Sequence, residues 1–258
     1  MSAPRPAPLR APGLIHEIEG DLVRVDLPGV ARVTVRGGQV EETLVHPQAD
    51  AADVAWFRRG HVRQLAALQR GTFALRASAV VLDGVAVAIC SLGPGGSSAL
   101  AAGLAQRGHA VIADGWLPVS VPGLKAEAIT DELALWPDVA GLAGRDPEGG
   151  RAVRPALLKR RHRFLAGASA RLGAIVVLRR FEQPDDDDTG AARGGSALEL
   201  VLDSTSLQSF VAALNRAGEH FAWAVALADG CPVVPLELDR HRPGIEEPAR
   251  AVEAMVRG

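Results

Sequence analysis

The sequence predicts an α/β protein, a mixed sheet with flanking helices preceded by a small N-terminal antiparallel β unit. Three observations lead there. Residues 14–46 alternate apolar and polar side chains in short runs divided by glycines. Residues 77–114 run in the order strand, turn, strand, glycine-rich loop, helix, strand, acid. Beyond residue 133, helical and β-rich segments alternate.

Residues 1–13, rich in Pro and Ala, read as a disordered tail without the continuous apolar core of a secretory leader. Next come the runs Leu22-Val23-Arg24-Val25-Asp26-Leu27 and Ala31-Arg32-Val33-Thr34-Val35, with turns at Gly20, Gly29 and Gly37-Gly38, the pattern of antiparallel hairpins. A helix over residues 51–69 carries apolar Val54, Phe57, Leu65 and Leu68. Its Arg58, Arg59, His61 and Arg63 read as a solvated basic face. Residues 14–70 are thus an N-terminal β unit plus helix, and residues 71–258 a second domain.

In that second domain, residues 74–82 and 85–90 are β-rich runs joined by Asp83-Gly84, which supplies the positive φ angles of a tight hairpin. Residues 98–106 are helical by composition and stop at Arg107-Gly108, a glycine cap. A short buried strand, 110–113, closes on Asp114. Further on we expect a strand at 133–136 and a short helix at 139–144. Within 155–165 the basic run Lys159-Arg160-Arg161-His162-Arg163 reads as a solvated helix face. A strong strand at 172–181, an exposed acidic loop at Asp185 to Asp188, a strand at 198–202, helices at 207–215 and 220–228, a strand at 233–238 and a helix at 246–256 complete the chain. The four consecutive acids lack metal-ligand spacing.

Composition excludes several function classes. With 258 residues, 48% of them hydrophobic, the chain can bury a core. Its 28 basic and 30 acidic residues nearly cancel, so no global field recruits nucleic acid or an anionic membrane. Arginine dominates the cations, with Lys125 and Lys159 the only lysines, a bias that fits a GC-rich genome. Cys90 and Cys231 lie in apolar surroundings with no zinc-type spacing, which points to a reducing compartment. The longest apolar stretch, 77–90, is interrupted by Asp83-Gly84 and is β-rich, unlike a membrane span. The expected location is cytoplasmic.

The chemistry concentrates at Ser91-Leu92-Gly93-Pro94-Gly95-Gly96-Ser97-Ser98. A working Walker A loop, G-x-x-x-x-G-K-[ST], aims backbone N–H groups at phosphate, grips it with lysine and places a hydroxyl on Mg²⁺. Here Gly96 and Ser98 stand at the second glycine and the hydroxyl. Ser91 replaces the first glycine and Ser97 replaces the lysine.

Together with Ala77-Ser78-Ala79-Val80-Val81-Leu82-Asp83-Gly84 before it and the stretch from Leu100 to Arg107-Gly108-His109 and Asp114 after it, this loop resembles the HPr kinase/phosphorylase-like family. Further echoes are Pro122-Gly123, the Leu-Ala-Leu-Trp-Pro-Asp stretch from Leu133 to Asp138, and the late strand at 232–238. The resemblance implies a P-loop fold related to phosphoenolpyruvate carboxykinase, holding ATP and Mg²⁺. It also implies that the first Asp of an acid pair is the base toward a serine hydroxyl on a protein or peptide. Asp114 matches that base, but Gly115 replaces the second acid. Ser98 matches the metal-ligating hydroxyl, and Arg76 stands where relatives show histidine.

Asp114 is the candidate catalytic residue, and Gly93, Gly95, Gly96, Ser97, Ser98, Arg76 and Lys159 are candidates for nucleotide or phosphate binding, with Ser98 also a metal ligand. Arg76 or Lys159 is the candidate substitute for the missing lysine. His109 and His162 read as structural or surface residues. Loss of a direct cation from the transferring phosphoryl group costs about 3–4 kcal/mol. The expected function is therefore a pseudokinase with weak or no ATP binding that serves as a regulatory or scaffolding partner of a protein or peptide client. The alternatives are an active ATP- and Mg²⁺-dependent serine kinase and a phosphate-sensing module using residues 93–98 as an anion nest. A homo-oligomer is allowed by the resemblance; nucleic acid and membrane partners are not expected.

Overall fold

A computed structural model describes residues 14–92, 96–154, 157–179, 194–238 and 244–257. The chain divides into two compact units, up to Arg70 and from Gly71 onward.

The first unit is an antiparallel sheet in sequential order, β1 (Ile15–Glu19), β2 (Leu22–Leu27), β3 (Ala31–Arg36) and β4 (Gln39–Val45). The turns at Gly20, Gly29, Gly37 and Gly38 all have positive φ, as the hairpins require. A continuous helical segment follows: α1 (Ala51–Phe57), a π-helical stretch (Arg58–Val62) and α2 (Arg63–Gln69). Asp50 caps its start by accepting from the Ala52 N–H at 2.7 Å. Val23, Val25, Leu27, Val33, Val35, Phe57 and Leu65 form the core. Buried Gln69 ties helix to sheet: it accepts from Gly38 N–H at 2.7 Å and donates to the Asp21 carbonyl at 2.6 Å. The solvated basic face holds for Arg58, Arg59 and Arg63 but not for His61. His61 stacks on His16 and on Phe57, with centroids 5.5 and 6.4 Å apart. Burial, with the nearby His16 charge, pushes its pKa down to about 4.

The second unit is a mixed α/β structure. In chain order it contains β5 (Ala74–Leu75), β6 (Ala77–Leu82), β7 (Val85–Ser91), α3 (Ser97–Gln106), β8 (Ala110–Ala113), β9 (Leu117–Ser120), β10 (Lys125–Ala126) and β11 (Glu132–Leu135). Then follow α4 (Pro137–Leu142), β12 (Arg151–Ala152), β13 (Arg160–Arg163), β14 (Ala170–Arg179), α5 (Gly195–Asp203), α6 (Gln208–Ala213), α7 (Ala217–Gly230), β15 (Val233–Glu237) and α8 (Glu246–Arg257). The main sheet runs β5-β9-β10-β14-β7-β6-β8, with β15 also on β14. Strand β14 pairs in parallel with β7 and β15, while β6 is antiparallel to β7 and β8. A separate sheet, β11-β13-β12, is antiparallel.

The core lies between the main sheet and α3 and α8, built from Val80, Leu82, Val87, Ile89, Leu100, Leu104, Val176, Ala249 and Val252, with Leu133 and Leu135 of the small sheet closing one side. Three features fix α3. Asp83 and Gly84, at φ 48° and 84°, make the tight β6–β7 turn that leads the chain toward it. At its far end Gly108 N–H donates to Ala105 O (3.1 Å) and His109 N–H to Leu104 O (3.2 Å), the paired bonds of a Schellman cap, with Gly108 at φ 100°. Gly103 lets α8 approach, since a Cβ there would meet the Ile245 carbonyl oxygen at 2.6 Å.

Two sequence expectations are corrected. Residues 198–202 are helical, within α5, because Ala197, Leu200 and Val201 are the buried positions, the i, i+3, i+4 spacing of one helix face. Leu198-Glu199-Leu200-Val201-Leu202 is a short, mostly apolar run, which is why it also reads as β. The basic run forms strand β13 rather than a helix face, because pairing with β11 and β12 outweighs its local preference. The short helix begins earlier than expected, with Pro137 in its first turn. Asp185 to Asp188 lie outside the described residues.

Candidate functional site

Four segments converge on Asp114. It follows the last residue of β8, and β8 lies beside β6 with Ala113 opposite Ala79. Ser78 of β6 is therefore carried next to the Asp114 side chain. From the other side, β7 leads through the glycine-rich loop into α3, whose second residue is Ser98. The Ser98 and Ser78 hydroxyls donate to Asp114 Oδ1 at 2.8 and 2.9 Å. The Ala134 N–H of β11 donates to Oδ2 at 2.9 Å. Each hydroxyl has a single proton, so with both directed to the carboxylate the 3.4 Å Ser78–Ser98 contact adds no further bond. The result is a half-buried carboxylate satisfied on both oxygens by the protein's own donors.

Ser78 is fully buried and absent from the expected site. Its signal was present, since a serine inside the apolar run Ala77 to Leu82 must find a hydrogen-bond partner. The Ala134 N–H carries no side-chain signal at all.

The remaining candidates divide by position. Gly96, at φ 121°, precedes α3, and its carbonyl accepts from Leu100 N–H at 2.8 Å, the first helical bond. A Cβ there would meet Leu178 at 3.1 Å. Ser97 is the first helical residue, so the position where the resemblance expects a lysine carries a hydroxymethyl group. Gly93 and Gly95, with Pro94 between them, lie outside the described residues. Exposed Arg76 donates from Nη2 to the Ser91 carbonyl at 3.2 Å, which places a guanidinium where β7 enters the loop. Lys159 immediately precedes β13, its ammonium 5.3 Å from the centre of the Trp136 ring.

Among the described residues the donors are fewer than a standard Mg–nucleotide site uses: Ser98 donates to Asp114, and Gly115, at φ 85°, stands where the resemblance expects a second acid. Among the described residues no three or more His, Cys, Asp or Glu side chains are grouped to hold a metal ion.

A second polar cluster lies at the opposite end of α3. Glu253 of α8, almost fully buried, accepts two bonds from Arg107 (2.8 and 2.7 Å) and lies 2.7 Å from His109 Nε2. These bonds, Arg107 foremost, hold the Glu253 carboxyl down to about 2. Thus His109 has a partner, distant in sequence and structural in role. Buried His162, by contrast, has no hydrogen-bond partner at Nε2. Burial, then the Arg145 and Arg160 charges, lowers its pKa.

Fold and site together define a mixed α/β protein in which strand, loop, helix and a neighbouring strand assemble a serine–aspartate cluster. No family model and no curated protein matches the chain. Among solved structures, the Hpr(Ser) kinase/phosphatase from Coxiella burnetii is similar at a TM-score of 0.38 and 14% identity, over 71% of this chain and 88% of that one. No helix of the described residues is long and apolar enough to cross a membrane.

Proposed function

We propose that the unit from Gly71 onward is a degenerate HPr kinase-like P-loop module, a pseudokinase with weak or no ATP binding, that acts as a regulatory or scaffolding partner of a protein or peptide client in the cytoplasm. One observation carries this reading: the helix that should begin with a phosphate-gripping lysine begins with Ser97, and the next residue, Ser98, is engaged with Asp114. The missing cation is worth about 3–4 kcal/mol of transition-state stabilisation. The helix N-terminus retains a modest affinity for anions.

Calorimetry of the full chain with ATP and ADP in Mg²⁺ tests the proposal. Absent or millimolar binding is expected. Micromolar binding together with phosphate transfer to a serine peptide would overturn it.

A second reading, an active serine kinase, is favoured by one contact, the Arg76 guanidinium at Ser91, which sets a cation at the loop. In it Asp114 is the base, Ser98 ligates Mg²⁺, and Arg76 or Lys159 replaces the lysine. That reading requires Asp114→Asn to abolish transfer while nucleotide affinity is kept.

A further inference from the structure

The basic run left without a role by this site lies in β13, and strand alternation sorts its side chains. Leu133 and Leu135 of β11 point into the core, so Glu132 and Ala134 point outward. Cross-strand register places Arg163 opposite Glu132 and Arg161 opposite Ala134, with Arg151 of β12 on the far side of Arg161. The outer face of this sheet therefore carries Arg151, Arg161 and Arg163 around a bare alanine.

The charges on it do not balance. Arg151 pairs with Glu132 at 2.7 Å, and Arg163 reaches Asp131 at 3.2 Å and Glu132 at 3.8 Å. Two acids thus answer three arginines. Arg161 has no ion pair or side-chain hydrogen bond among the described residues, and it lies directly across from Arg151. Like charges directly opposite in a sheet are destabilising. With Arg151 and Arg163 more than half exposed, the excess faces solvent in a chain whose net charge is −2. The face also adjoins the serine–aspartate cluster, because the Ala134 at its centre is the residue whose N–H holds Asp114.

We propose that this outer face of β11-β13-β12 docks an acidic peptide segment of the client, its carboxylates meeting Arg151, Arg161 and Arg163 as it lies across Ala134. The inference rests on the scaffolding reading above and names the chemistry of the partner. An acidic peptide suits the face better than nucleic acid. Glu132 and Asp131 interrupt the positive surface that a continuous phosphate backbone would track, and the Lys159 ammonium lies 5.3 Å from the centre of the Trp136 ring, over a face that base stacking would use.

Fluorescence anisotropy of the full chain with a fluorescein-labelled dodecapeptide of alternating glutamate and serine provides the test. Binding is expected in 50 mM NaCl, weakening at least tenfold in 300 mM NaCl as the charges are screened. Arg161→Glu is expected to weaken it at least tenfold with a thermal midpoint no lower than that of wild type, since it replaces a like-charge pair with Arg151 by an opposite-charge one, and Arg161→Ala to weaken it to a smaller degree. Arg36→Glu, in the first unit, is expected to leave it unchanged. The proposal is overturned by no binding at millimolar protein, by equal binding of wild type and Arg161→Glu, or by a uridine dodecanucleotide binding as tightly with the same sensitivity to Arg161. If the peptide fails to bind while nucleotide binding is absent, only this inference falls. If it binds and is phosphorylated, the docking face stands and the pseudokinase reading falls.

Discussion

Replacing Glu253 by glutamine keeps its shape and removes its charge, and the structure sets the cost. The carboxylate accepts two guanidinium bonds and lies against His109, nearly out of solvent. A folded pKa of about 2 against an ordinary 4.5 corresponds to about 3 kcal/mol of stability at neutral pH. Arg107 is 31% exposed, so solvent screening reduces this to about 2–3 kcal/mol. For a unit of this size the loss lowers the melting temperature by roughly 4–12 °C. The carboxyl is depressed, so its contribution is complete above about pH 4.5 and lost as pH falls toward 2. Urea titrations followed by circular dichroism, at pH 7 and pH 3.5, measure this directly. Wild type and Glu253→Gln are expected to differ by about 2–3 kcal/mol at pH 7, and by about 1 kcal/mol less at pH 3.5. A variant as stable as wild type at pH 7, or a gap that does not narrow in acid, would refute the reasoning.

Three further outcomes follow from the geometry. Gly103→Ala drives a methyl group against the Ile245 backbone and is expected to destabilise by about 1–3 kcal/mol in urea denaturation. Ser78→Ala removes one of two hydroxyl donors to Asp114 Oδ1, costing about 1 kcal/mol; a double-mutant cycle with Asp114→Asn should be non-additive, and strict additivity would separate the two groups. His61 is held neutral by burial, with its pKa lowered to about 4, so the unfolded chain binds the extra proton and stability falls as pH drops from 6.5 toward 4. His61→Gln should flatten that part of the urea-midpoint profile.

The site's frame was legible because its signals are local. Asp83-Gly84 specifies a turn, Arg107-Gly108 a cap, and the apolar run 110–113 ends at an acid; each carries its backbone geometry in adjacent residues. Long-range partners were not legible. The bond between His109 and Glu253 depends on how α8 lies along α3, and the Ala134 N–H contact depends on β11 reaching the edge of Asp114. The two corrected segments fail for a related reason. A short apolar run such as Leu198 to Leu202 fits a strand or a helix, and only tertiary burial of Leu200 and Val201 selects the helix. In Arg160 to Arg163, polar side chains conceal a strand whose existence is decided by its neighbours.

The parallel pairing of β7 with β14 bears on synthesis as well as on the finished fold. Strand β7 leaves the ribosome with β6 already beside it, but its other edge must wait until Leu172 and the residues after it are made. At ordinary translation speeds this is a delay on the order of 10 s. Throughout it, a strand whose Ala86 to Cys90 side chains are all destined for the interior keeps an unfilled hydrogen-bonding edge. The nascent chain is therefore most prone to capture by a neighbour, or by a chaperone, in the interval between the loop and β14. Substitutions that weaken the β6–β7 hairpin should accordingly reduce soluble yield more than they reduce the stability of protein that has already folded.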